Sequence, residues 1–252
     1  MRVFRSLLTF FILCLLTPLA IAQDKILSIL VGMDKPPYIQ MQDGAGFELE
    51  LLKAVINEMG YSSVFMHVPN ARISYLLEQG NADIATLQGV QETSNQLLYS
   101  QPYIRYQNAV ITLRENNYSI DELDDLSGLN VVAFQGASRV LGTEYEKSIE
   151  QFGRYTEVTN QQSQVDLLLL RRIDAAIMDI NIFQYYRRAA NDHQPINLHL
   201  LFPPSDYRCA FRDPLLQQQF DQALNTYRAS RDYQRLQLEY FGAISQPFAA
   251  QN

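Results

Sequence analysis

Ile26-Leu27-Ser28-Ile29-Leu30-Val31, then Lys35-Pro36-Pro37-Tyr38, then Gly46-Phe47-Glu48-Leu49-Glu50-Leu51-Leu52-Lys53-Ala54-Val55-Ile56-Asn57-Glu58-Met59-Gly60: this stretch decides the fold. The apolar run reads as a strand and the prolines as a turn. Phe47, Leu51, Leu52, Val55, Ile56 and Met59 then recur at helical spacing until Gly60 stops the helix. The same alternation continues, with strands at Val64 to Val68 and Ile84 to Leu87 around a helix at Ala71 to Gln79. Strand and helix in turn predict an α/β architecture.

Further along, strands are expected at Gln107 to Leu113, Asn130 to Phe134, Tyr155 to Val158 and Ala175 to Met178, with helices at about Ala137, Val165 to Leu170 and Ile180 to Ala190. The stretch Leu76 to Ala85 is echoed in Leu167 to Ala176: each is a helix end, a tight turn and an aspartate, Asp83 or Asp174, opening a strand. Two lobes of one architecture follow. Asp213-Pro214 starts a helix, with Asp as its cap and Pro in its first turn. The helices beyond it are expected to pack on the first lobe, which makes that lobe discontinuous.

Arg2 and Arg5, the apolar run Leu7 to Leu16, and Ala20-Ile21-Ala22 form the charged, hydrophobic and cleavage regions of a secretory signal peptide. The run is about half the ~20 apolar residues that span a bilayer. Removing 22 of the 252 residues leaves 230, ample for a core, and takes the net charge of −7 to −9, because Arg2 and Arg5 leave without an acid. So acidic a chain, with no basic run, is unsuited to nucleic acid or an anionic membrane. Cys14 leaves with the signal peptide. Cys209, alone in the expected mature chain, falls in an expected strand and reads as a buried, inert thiol.

Several segments together resemble the family-3 extracellular solute-binding proteins of ABC importers. Pro36-Pro37-Tyr38 resembles the family's Pro-Pro-aromatic element, Gly46-Phe47-Glu48-Leu49-Glu50-Leu51 its helix start, and Ser100-Gln101-Pro102-Tyr103 its Ser-Asp-Pro-Tyr turn. Gln135-Gly136-Ala137-Ser138 resembles Gln-Gly-Thr-Thr, and Arg172 to Asp179 the segment that ends in a ligand-binding aspartate. The resemblance implies a type II periplasmic-binding fold, two mixed sheets joined by two hinge crossings and closing on one small polar ligand. The expected division is a signal peptide over residues 1–22, a first lobe of 23–113 and 206–252, and a second lobe of 114–205. Crossings are expected near Leu113 to Asn116 and Phe202 to Asp206. The implied protein is a periplasmic monomer, partnered by an inner-membrane ABC permease and needing no cofactor.

In amino-acid binders of that family an arginine takes the ligand carboxylate and the second-lobe aspartate takes its ammonium group. Asp179 matches the aspartate. The arginine has no counterpart, since Gln91-Glu92-Thr93-Ser94-Asn95 stands in its stretch, and Lys35 or Asp34 replaces a stacking aromatic. A hydroxyl or amide does not replace a bidentate guanidinium. Arg72 or Arg139 could supply the charge. Ligands in open α/β sheets lie beyond the carboxyl ends of the strands, which places the expected site between Asp179, Gln135, Ser138 and Arg139 on one lobe and Tyr38, Arg72 and Gln88 on the other. Asp179 could instead cap the helix from Ile180, and Tyr38 could line the cleft or pack beneath it.

Nothing catalytic is expected. His67, His193 and His199 lack metal-ligand spacing, no Gly-x-Ser-x-Gly elbow occurs, and Cys209 has no evident histidine partner. Two alternatives stay open: a dehydratase-like enzyme on this fold, with Asp179 as acid or base, and a ligand-sensing module for a membrane receptor. Export predicts that protein from the periplasmic fraction has the intact mass of residues 23–252. A mass retaining residues 1–22, or a lipid on Cys14, overturns it.

Overall fold

The computed structural model describes residues 25–89 and 96–242; the expected signal peptide and residues 91–95 lie outside them. In chain order the elements are β1 (Ile26–Val31), α1 (Phe47–Glu58), β2 (Ser62–His67), α2 (Asn70–Glu78), β3 (Ile84–Gln88), β4 (Leu98–Tyr106) and β5 (Asn108–Leu113). There follow β6 (Asn130–Phe134), α3 (Ala137–Val140), α4 (Thr143–Ser148), β7 (Arg154–Val158), α5 (Gln161–Leu169), β8 (Ala175–Asp179) and α6 (Ile180–Ala189). The chain returns through β9 (Ile196–His199), β10 (Ser205–Phe211), α7 (Pro214–Arg228) and α8 (Arg231–Phe241).

The strands form two five-stranded mixed sheets, ordered β2-β1-β3-β10-β4 and β7-β6-β8-β5-β9. In each, three strands run parallel and the fourth position is held by an antiparallel strand that has crossed from the other half of the chain. The echo around Asp83 and Asp174 has a common structural cause. Asp83 accepts from Ser28 N and Oγ at 2.8 and 2.6 Å; Asp174 accepts from Asn130 N and Nδ2, both at 2.8 Å. Each aspartate thus clips the start of its strand to the strand beside it.

The return crossing lies between β9 and β10, near the expected Phe202 to Asp206, but the outward one differs from the expectation. β5 pairs with β8 and β9, so residues 108–113 belong to the second sheet, and the outward crossing falls at Gln107, before the strand rather than after it. The chain runs from β4 into β5 without a turn signal, which is why the apolar pattern hid the break. The turn residues Arg114–Asn116 form a 3-10 turn beyond β5. Ser100-Gln101-Pro102-Tyr103, expected as a turn, lies inside β4. β4 is an edge strand, where a proline costs no ladder bond, and its pairing with β10 shifts register beside Pro102.

Helices α1 and α7 pack on the first sheet, with α8 against both of them, and α7 begins as its sequence predicts, with Asp213 Oδ1 accepting from Leu215 N at 2.8 Å. Cys209 is buried in β10, where burial and the nearby acids Glu48 and Asp221 push its thiol well above the usual range. The start of α1 is fixed by contact with the proline loop: Phe47 N and Glu48 N donate to the carbonyls of Pro37 and Tyr38. Gly46 permits this approach. Its φ is +119°, and a Cβ there would overlap the Tyr38 carbonyl; Gly44, at φ +61°, faces open space. Gly46→Ala is therefore expected to cost about 2 kcal/mol or more, and Gly44→Ala about 1 kcal/mol, in urea denaturation of the mature protein. Equal costs would contradict the close approach.

Candidate functional site

Asp179 ends β8 and is 4 % exposed. Its Oδ1 accepts from Asn181 N (2.9 Å) and Ile182 N (3.1 Å), which makes it the cap of α6. Oδ2 accepts from Gln107 N at 2.9 Å, on the crossing. A fourth donor comes from the other lobe: Tyr38 Oη gives its proton to Oδ1 at 3.1 Å while accepting from Asn181 Nδ2 at 2.9 Å. Burial pushes the Asp179 carboxyl up to about 6, against the pull of these donors.

Tyr38 packs beneath the site rather than lining it. It is 1 % exposed, edge-on to Tyr106 at 4.3 Å and tilted against Phe241 at 5.6 Å. Beside it the Lys35 ammonium sits 4.4 Å from the centre of the Tyr106 ring. Burial lowers the Lys35 pKa, with Glu48 and Asp179 drawing it back up. Glu48, in the first turn of α1, is fully buried and accepts from Tyr103 Oη at 2.6 Å and Tyr106 Oη at 3.2 Å. Burial raises its carboxyl, and Lys35 and the two phenols oppose that rise. Two carboxyls, one ammonium and three phenols thus form one polar cluster across the lobes.

The Gln135-Gly136-Ala137-Ser138 turn joins β6 to α3, and its N–H groups already hold an anion. Glu157, at the end of β7, accepts from Gly136 N at 2.6 Å and Ser138 N at 2.8 Å, and from Tyr155 Oη at 2.8 Å. Burial pushes the Glu157 carboxyl up, but Ser138, Gly136 and Tyr155 together bring it below its ordinary value. Gln88 is buried at the end of β3, accepting from Ser74 Oγ at 2.7 Å and donating to Thr86 O at 2.8 Å. Arg72 and Arg139 are exposed, on α2 and α3, and Gln135 is exposed at its turn. Of the residues expected from sequence, the structure joins Tyr38 to Asp179 directly and sets Gln135, Ser138 and Arg139 at the end of the strand next to β8.

Sequence reasoning passed over Glu48, Glu157, Gln107 and Asn181. Glu48 carried a signal: it lies on the apolar face of α1 with Leu51, Leu52 and Val55, a charge where only a partnered charge belongs. Glu157 carried none, because an acid on an edge strand usually faces water.

The Bacterial extracellular solute-binding proteins, family 3, model matches residues 27–243. No curated protein is significantly similar to the chain in sequence. Solved structures share the fold. One is an ABC uptake transporter substrate-binding protein from Streptococcus pneumoniae with bound histidine (TM-score 0.66, 18% identity, covering 86% of this chain and 92% of that one). Another is a histidine kinase sensor domain with similarity to periplasmic binding proteins (0.67, 20%, covering 87% and 97%). A third is the ancestral amino-acid-binding protein AncCDT-1, a precursor of cyclohexadienyl dehydratase (0.66, 20%, covering 86% and 95%). With a family match over nearly the whole described chain and the two-sheet fold in common, this chain belongs to the bacterial extracellular solute-binding proteins, family 3.

Proposed function

We propose that the protein captures a small polar solute, amino-acid-like or related, between its lobes in the periplasm and delivers it to an ABC permease. The observation that carries this reading is the Tyr38 to Asp179 hydrogen bond. It brings the loop after β1 of one lobe against the end of β8 of the other, the strand-end position at which open α/β sheets hold ligands. The monomeric state and the signal-directed export belong to the same reading.

The polar groups narrow the solute. Glu157 fills the anion-binding turn, no arginine stands in the family's place, and Asp179 touches both the opposite lobe and the outward crossing. An α-carboxylate finds no ready partner, whereas a cationic or neutral polar group does. Arg72 and Arg139, both exposed, are the charges that would meet an anionic substituent as the lobes close.

An enzymatic reading draws on the raised carboxyls of Asp179 and Glu48, and on the dehydratase-precursor relative. Turnover of candidate substrates by the wild type, lost in Asp179→Asn, would favour it. The sensor reading draws on the histidine kinase domain of like fold, and co-purification with a receptor instead of a permease would favour that.

A thermal-shift panel of amines, amino acids, small carboxylates and short peptides is the first test. A true ligand at 100 times its Kd adds about 2.7 kcal/mol of stability. For a cationic ligand, Asp179→Ala should weaken binding by about 2 to 5 kcal/mol and, by removing the cap and leaving the Gln107 and Tyr38 donors unmatched, cost about 2 kcal/mol or more of stability. A cation favours the ionised carboxylate, so its affinity should rise with pH through about 6 and level off above, with proton release in calorimetry at pH 6. Unchanged affinity in Asp179→Ala excludes this residue from the ligand site.

A further inference from the structure

A cavity of about 970 Å³ opens between the lobes on the flank of the hinge, bounded by β4, α7 and α8 of one lobe and by α6 and β9 of the other. Of the residues expected to bind the solute, only Tyr38 borders it. Tyr38 and Asn181, bonded to each other, stand between this cavity and Asp179.

Both lobes give it apolar walls: Ile104 and Phe241 on one side, Leu198 and Leu200 on the other. Leu198 and Leu200 are 41 % and 56 % exposed, apolar surface that an occupant would cover. Four arginines border the cavity against two aspartates. Arg105 is taken by Asp206 through two bonds of 2.6 and 2.9 Å, and Arg187 faces Asp192 at 3.6 Å. The Arg187 Nε is buried with no hydrogen-bond acceptor.

Arg188 and Arg228 end on neutral acceptors. Arg188 Nη2 donates to Tyr240 O at 3.2 Å and Arg228 Nη2 to Pro102 O at 2.7 Å. Arg228 also lies in the field of Asp221, whose oxygens accept from Gln101 and Gln217. The rim therefore keeps a positive surplus, contributed by α6 of one lobe and α7 of the other.

We infer that this cavity is a second binding site, for a monocarboxylate with an apolar body. The carboxylate meets the rim arginines, where a guanidinium offers paired donors, and the body lies against Ile104, Leu198, Leu200 and Phe241. A bare inorganic anion would leave those walls wet, and an amine would meet the cationic rim. Because the walls come from both lobes, occupancy bears on how the lobes sit and is thereby coupled to the solute proposed between the strand ends.

The test is calorimetric titration of the mature protein with octanoate, octylamine and acetate. Octanoate should bind saturably, and octylamine and acetate should not. Arg188→Glu and Leu200→Glu, both at exposed positions, should each weaken octanoate by about tenfold or more, while Arg154→Glu, on the far edge of the second sheet, leaves it unchanged. Melting curves without ligand verify that each variant is folded. Absence of saturable octanoate binding, equal binding of octylamine, or undiminished affinity in the two folded variants overturns the site.

Discussion

A single buried carboxylate gathers the end of a strand, the start of a helix, a crossing of the hinge and a side chain of the opposite lobe. Removing a charge from water costs several kcal/mol unless its lone pairs are met, and Asp179 meets that cost with donors from Asn181, Ile182, Gln107 and Tyr38. Two of these come from the start of α6 and one from the crossing, and they hold the carboxylate still. The fourth comes from the opposite lobe and is the one that separation of the lobes would break. Gln107 strengthens the arrangement from the other end, since its side chain donates to Phe202 O at 2.9 Å and so ties the outward crossing to the return.

The fold was legible because periodicity carries it. The alternation of apolar runs and helical stripes named most of the strands and helices, and the paired turns at Asp83 and Asp174 announced two like lobes. What stayed hidden had local causes. Gln107 looks like the opening of one continuous strand, because an extended chain passes between sheets with no change in its pattern. β4 was masked by Pro102, which is admissible only because that strand is an edge. At the candidate site, local motifs point to Asp179, Tyr38 and the Gln135 to Arg139 turn, but partners distant in sequence leave no local trace. Glu157 closes the turn from a neighbouring strand, and Asn181 matters only because Tyr38 comes from the other lobe to meet it.

The two regions at which the lobes face each other differ in character. Around Asp179 and the 135–138 turn the chain has answered its own polar groups with its own side chains, so under the proposed function selectivity would lie in exchanging one set of hydrogen bonds for another. The flank cavity offers the reverse: uncovered apolar wall and surplus positive charge. The Tyr38 and Asn181 pair borders the flank cavity and touches Asp179, so part of that cavity's wall is built from the same residues that join the lobes.

The strand order of the first sheet also imposes an order on folding. β10 lies between β3 and β4, and until residues 205–211 arrive those two strands have no common partner and present open edges. The second sheet draws all its strands from residues 108–199 and can close while the C-terminal part of the chain is still absent. The half of the molecule that begins first in sequence is thus completed last, through contacts of high sequence separation, which fold slowly and leave unpaired edges exposed to aggregation. A chain held extended until it is whole avoids that interval, because β10 is then present when β3 and β4 first form.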